Sequence, residues 1–72
     1  MQMQHKSLSA AEGVSAGYEM TARILEITFP ANKRFRYVGV PVRVYTAMMQ
    51  ARRPLDYFHK HIRDRYQYQR LE

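Results

Sequence analysis

His59, Lys60 and His61 stand in a row, with Asp56 just upstream and Asp64 just downstream. Imidazoles and carboxylates so close in sequence are the raw material of a metal site or of acid–base hydrolysis. Their spacing argues against both. On a helix, side chains two positions apart point about 200° away from each other, so His59 and His61 diverge. Asp56 and Asp64 then read as surface ion-pair partners, each pair contributing about 0.3–0.5 kcal/mol, and Asp56 also as a helix cap. The chain has no cysteine, which removes thiol nucleophiles, disulfides and Cys-ligated metals. A Ser-His-Asp set and a Gly-rich phosphate loop are also missing. The expectation is a non-catalytic domain with no metal or cofactor; the alternative is a hydrolase or metal site at His59 and His61.

A second set of residues suits polyanions. Arg34, Arg36, Arg52, Arg53, Lys60, Arg63, Arg65 and Arg70 are interleaved with Tyr57, Tyr66 and Tyr68. Guanidinium groups pair with phosphate as planar forks, and single-stranded RNA binders join such cationic tracks to aromatic platforms for base stacking. The charge is unevenly spread. Residues 1–22 hold Lys6 against Glu12 and Glu19, whereas residues 23–72 hold eleven of the twelve Lys and Arg against four acids, a net of +7. Arg34, Arg36, Arg52, Arg53, Lys60, Arg63 and Arg65 are the candidate phosphate contacts, and Tyr68 is the candidate stacking ring. Tyr18, Tyr37 and Tyr66 read as core rings with hydroxyls at the rim. No RNP-type motif and no KH-type Gly-x-x-Gly is present, so no established reader module is implied.

The elements that must position these residues follow from periodicity. Val14, Ala16 and Tyr18 alternate with small or polar residues, a half-buried strand. Leu25, Ile27 and Phe29 alternate in Arg23 to Phe29, and Phe35 and Tyr37 in Arg34 to Val38. Pro30 and Asn32 between them supply a turn. Gly39-Val40-Pro41 stops the sheet, and Pro41 suits the start of a helix. Val44, Met48 and Ala51 form one helical face from Val42 to Ala51. Leu55, Phe58, Ile62 and Tyr66 form another, with a helix from Leu55 to Arg65. Residues 66–72, where Tyr alternates with Gln, read as a short strand or an extended end. Residues 1–11 read as a flexible tail and residues 12–72 as one domain. The expected fold is α+β: a three-stranded antiparallel meander followed by two helices packed on one face. Seventy-two residues bury only about 60% of the unfolded surface, which leaves little room for a water-excluding active site.

The sequence resembles the KTSC domain, a family found at the C-terminus of some lysyl-tRNA synthetases and as small stand-alone bacterial proteins. The resemblance rests on Gly17-Tyr18, Leu25-Glu-Ile-Thr-Phe29, Phe35-Arg-Tyr37, Val38-Gly-Val-Pro41, Val44-Tyr45, Met48-Met49-Gln-Ala51, Tyr57-Phe58 and Ile62-Arg-Asp-Arg-Tyr66, in that order. Two departures stand out. The family's Tyr-x-Tyr is Phe35-Arg36-Tyr37 here, so the first hydroxyl is missing. The family's Ser and Gly after the first helix are replaced within Arg52-Arg-Pro-Leu-Asp56. The resemblance implies a domain of unestablished function for which RNA binding is the usual suggestion.

The leading functional expectation is therefore weak, phosphate-directed RNA binding through an Arg-rich face. The alternative is a protein–protein interaction module that uses a sheet edge or a Met and aromatic patch around Met49, in one form a homodimer, although a monomer is the expectation. No apolar run reaches the roughly 18 residues needed to cross a bilayer, so no membrane partner is expected. The N-terminus lacks the apolar stretch of a secretory signal, and the expected location is cytoplasmic.

Overall fold

The computed structural model describes residues 5–71. The strands expected from alternation form where the pattern is cleanest. They are β2 (Val14–Glu19), β3 (Ile24–Phe29) and β4 (Lys33–Val38). Leu25, Ile27 and Tyr37 turn to one face and are buried, while Phe29 and Phe35 on that face are half-buried. The β3–β4 turn takes Ala31 (φ 66°) and Asn32 (φ 58°) into the left-handed region. Asn32 tolerates that conformation locally, whereas Ala31 has no such side-chain compensation.

The sheet has five strands, in the order β1-β2-β3-β4-β5, all antiparallel, in place of the expected three-stranded meander. His5–Ser9, assigned above to the tail, forms β1 against β2. Residues 1–4 of that tail lie outside the described residues. Tyr68–Leu71 forms β5 against β4, which decides between the two readings of the C-terminal segment. β1 escapes the alternation test for a physical reason. Its register breaks at a bulge between Ser7 and Ser9, and only Leu8 enters the core, at 5% exposure. An edge strand with one buried side chain has no period to detect.

Two helices cover one face of the sheet. α1 (Val42–Gln50) buries Met48, and α2 (Pro54–His61) buries Phe58. Pro41 is the N-cap residue of α1, one position before the helix proper. α2 ends earlier than the expected Arg65. Ile62 (φ −122°) is its C-cap, and residues 62–65 form turns. Asp56 does not cap α2: Arg53 holds that position without a side-chain cap bond, Pro54 opens the helix, and Asp56 sits in the first turn, where its charge favours the positive helix end.

Val40 and Ile62 complete the core with no exposure at all. The Tyr18 ring stacks on Tyr45 of α1 (centroids 4.8 Å apart, planes 13° apart), and its hydroxyl donates to the Val40 carbonyl at 2.5 Å. Phe58 reaches from α2 to Tyr37 on β4 (5.3 Å) and to Phe29 at the end of β3 (6.3 Å). The helices are nine and eight residues long, hence about 13 and 12 Å at 1.5 Å per residue. The sheet spans about 19 Å between its outer strands at about 4.8 Å each. Two such short helices leave part of the β4–β5 end uncovered.

The face turned away from the helices carries one in-register row across all five strands: His5, Gly17, Glu26, Arg36 and Gln69. Gly17 contributes no side chain to that row. His5 therefore reaches past it to Glu26, Nε2 to Oε1 at 3.0 Å, while Arg36 Nη2 donates to Oε2 at 3.3 Å from the other side. Glu26 is consequently 5% exposed on a face that no helix covers. A carboxylate so deeply placed needs both partners, because a buried charge left alone costs several kcal/mol.

Candidate nucleic-acid interface

The sequence-predicted cations do not form one face. Arg34 and Arg36 project from the side of β4 turned away from the helices, next to Thr28 and Glu26 of β3. Arg34 is exposed, whereas Arg36 is half-buried and engaged with Glu26. Pairing with Glu26 neutralises Arg36 locally, so it is a structural cation in this fold.

Arg52, Arg53 and Lys60 do come together. They line a shallow concavity at the corner between α1 and α2, along with Asp56, Tyr57 and His61. Arg53 Nη1 lies 3.8 Å from Asp56 Oδ2, and both side chains are more than half exposed, so this pair contributes little. The His61 ring packs on Tyr57, with centroids 4.5 Å apart.

Arg63 lies elsewhere, just beyond the C-terminal end of α2, on a groove of about 380 Å³ between that helix and the uncovered β4–β5 pair. Phe29, Phe35, Tyr37 and Phe58 form its apolar lining, Tyr68 forms one wall, and His59, Arg63 and Asp64 stand at the other. Tyr68 faces this groove because its register partner is Tyr37. Its ring contacts Tyr37 (5.4 Å) and Phe35 (5.9 Å) and remains 56% exposed. Arg65 follows in the turn after α2 and is exposed. His59 and His61 line different concavities, so the alternative of a shared metal or hydrolytic site at these two residues is not what the fold builds. No group of three or more metal-ligating side chains occurs among the described residues. Met49 is half-buried and packed against the core. Among the described residues the large exposed apolar side chains are Met20, Val38, Val42 and Tyr68.

Sequence reasoning placed Phe35 and Tyr37 in the core and missed that they line a groove. The signal was the length of the two helical patterns, which cannot cover every aromatic position of the sheet. His59 and Asp64 do line one concavity together, and their approach to Tyr68 depends on where β5 lies.

Burial pushes the Tyr37 hydroxyl above its ordinary pKa of 10.0; Tyr68 and Asp64 act in the same direction and Arg63 opposes them. Tyr18 and Tyr45 are also raised, chiefly by burial. The folded chain therefore holds these protons more tightly than the unfolded chain. Their stabilising contribution is complete below pH 10 and declines as pH rises from there through the raised folded values. Thermal melts between about pH 9 and 11 should show a falling Tm, with a shallower fall in Tyr37→Phe, which lacks one such proton. Equal slopes for the two proteins would contradict this account of Tyr37.

The comparisons with known proteins agree with the fold. The KTSC domain family matches residues 14–66, from the start of β2 to the turn after α2. A crystal structure of a KTSC domain protein from Yersinia pestis is similar at a TM-score of 0.88 and 28% identity, over 99% of this chain and 100% of that one. Comparison with curated proteins gives no match. No helix among the described residues is long and apolar enough to cross a membrane. The family match covers three strands and both helices, and the crystallographic relative extends the likeness to both edge strands, so the chain belongs to the KTSC domain family.

Proposed function

We propose that this KTSC domain binds single-stranded RNA weakly, through phosphate contacts made along α2 and its flanking turns. The observation that carries the reading is the run of exposed cations there: Arg52 and Arg53 before the helix, Lys60 within it, and Arg63 and Arg65 after it. Asp56 and Asp64 are the acids of that stretch, so it keeps a clear positive excess. Flexible cations on one short element suit a polyanion whose phosphates are repeated along a strand, and such contacts position the strand without reading its sequence. Arg34 and Arg36 are left out of this footprint, because they lie across the sheet and Arg36 is held by Glu26.

Titration of isotopically labelled protein with a ten-nucleotide RNA at about 50 mM salt, where phosphate contacts are strongest, tests the proposal. Amide shifts should concentrate in residues 52–65. For three or four phosphates, log K should fall against log salt with a slope of about −2 to −3. Arg53→Ala combined with Lys60→Ala should reduce that slope by about one to two. No shifts at low salt, or an affinity indifferent to salt, would sink the reading.

A further inference from the structure

We propose that the groove between α2 and the β4–β5 pair holds one unpaired nucleobase of a bound RNA strand, stacked on Tyr68. This rests on the RNA reading above and assigns that reading a base-contact site.

Four features of the groove favour a base over other occupants. Its volume of about 380 Å³ is near the lower end of small-molecule pockets, about 300–1,000 Å³, and too small for a folded partner. Its largest exposed ring is Tyr68, which stays 56% open to solvent although an apolar neighbour, Phe35, lies 5.9 Å from its centre. A second aromatic, Tyr37, backs that ring from β4 at 5.4 Å with planes 32° apart. The cross-strand pair thus fixes the orientation of the platform before anything binds, which lowers the ordering cost of stacking. The polar rim carries both signs. Arg63 is a cation for the phosphate of the stacked nucleotide, and Asp64 beside it is an acceptor for the amino or imino N–H of a base edge. A lipid chain or a purely apolar side chain has no use for that carboxylate.

The groove also continues the proposed phosphate track. Arg63 lies on the groove, and Lys60 lies one turn earlier on the neighbouring corner. A strand that crosses α2 from Lys60 to Arg63 would reach the mouth of the groove, and one base can turn in while its neighbours stay outside. Stacking on a side chain tolerates any base, because every base has a π-face. The preference expected is for an unpaired base over none, with little sequence selectivity.

The test uses the full chain and two eight-nucleotide RNAs. One carries a single 2-aminopurine at its centre between abasic residues; the other is abasic at all eight positions, so that no other base can enter the groove. The 2-aminopurine strand should bind with quenched fluorescence, and the abasic strand should bind more weakly. Tyr68→Ala should lower affinity for the first strand about 5- to 150-fold and restore its fluorescence, while Tyr68→Phe keeps both near the parent values. Tyr68 is largely exposed, and an amide spectrum of Tyr68→Ala checks that the sheet is retained. If the two strands bind equally to the unaltered protein, or if Tyr68→Ala binds as the parent does, the groove assignment fails and the phosphate reading stands. If neither strand binds at about 50 mM salt, the phosphate reading fails and takes the groove assignment with it.

Discussion

Phe58→Ala is expected to lower Tm by about 12–40 °C. Phe58 is 1% exposed and is the largest of the fully buried side chains. It is the residue through which α2 reaches both Tyr37 and Phe29. Truncating a buried Phe to Ala costs about 3–5 kcal/mol, because the transfer energy is lost and the cavity collapses only in part. A chain of 72 residues has a total stability of about 4–11 kcal/mol at 0.05–0.15 kcal/mol per residue. The substitution therefore removes between about a quarter and the whole of it. For a domain of this size each kcal/mol moves Tm by about 4–8 °C. Calorimetry on the parent, Phe58→Leu and Phe58→Ala should give a graded series, with the leucine variant between the other two. A Tm within about 5 °C of the parent for Phe58→Ala would mean that α2 is held by something other than this ring. Phe58 also lies in the apolar lining of the groove, so its substitution cannot separate folding from ligand binding; Tyr68 can.

Where the sequence was legible, a period could be counted over several residues. β3 alternates over its whole length, and the apolar faces of α1 and α2 follow the helical repeat: Leu25, Ile27, Met48, Phe58 and Ile62 are buried, while Val44, Ala51, Leu55 and Tyr66 on the same faces are half-buried. Legibility failed where an element contributes one buried side chain or depends on a distant partner. β1 supplies only Leu8, at the bulge itself. Val40 sits between a Gly and a Pro, a context that reads as a turn, yet it is fully buried, with its N–H bonded to the Arg23 carbonyl and its own carbonyl bonded to Tyr18. Alternation already sets Glu26 beside Arg34 and Arg36, on the face away from Leu25 and Ile27. It is buried because Gly17 clears a path for His5 two strands away, a relation that no local pattern encodes. The scatter of the candidate cations has a related cause. Charge per residue is visible in a sequence, but its division between the two faces of a sheet depends on register. Arg36 and Arg63 share a basic composition and little else, since one is tied to a carboxylate on the far face and the other stands at an aromatic groove.

Removing residues 1–9 is expected to abolish cooperative folding, although the family match begins at residue 14 and needs none of them. Three losses coincide. The first is Leu8, whose burial beside Val14 in the core contributes about 2–5 kcal/mol on the scale of Leu→Ala truncations. The second is the β1–β2 pairing, which satisfies the outer edge of β2; without it a hydrophobic strand presents unpaired backbone to other copies of the chain. The third is His5, one of the two side chains that hold Glu26, so that Arg36 is left as the single partner of that carboxylate. Leu8 alone approaches the lower bound of stability for so short a chain, and the other two act in the same direction. Two milder variants apportion the effect: Leu8→Ala tests the core contribution, and His5→Ala tests the support of Glu26. Urea titration should give midpoints in the order parent, His5→Ala, Leu8→Ala, with the deletion showing no unfolding transition. Opening one edge of Glu26 to water lets it rehydrate, which is why His5→Ala is placed above Leu8→Ala. A deletion variant that melts like the parent would return these residues to the status of a tail and would make β2 a stable edge strand in its own right.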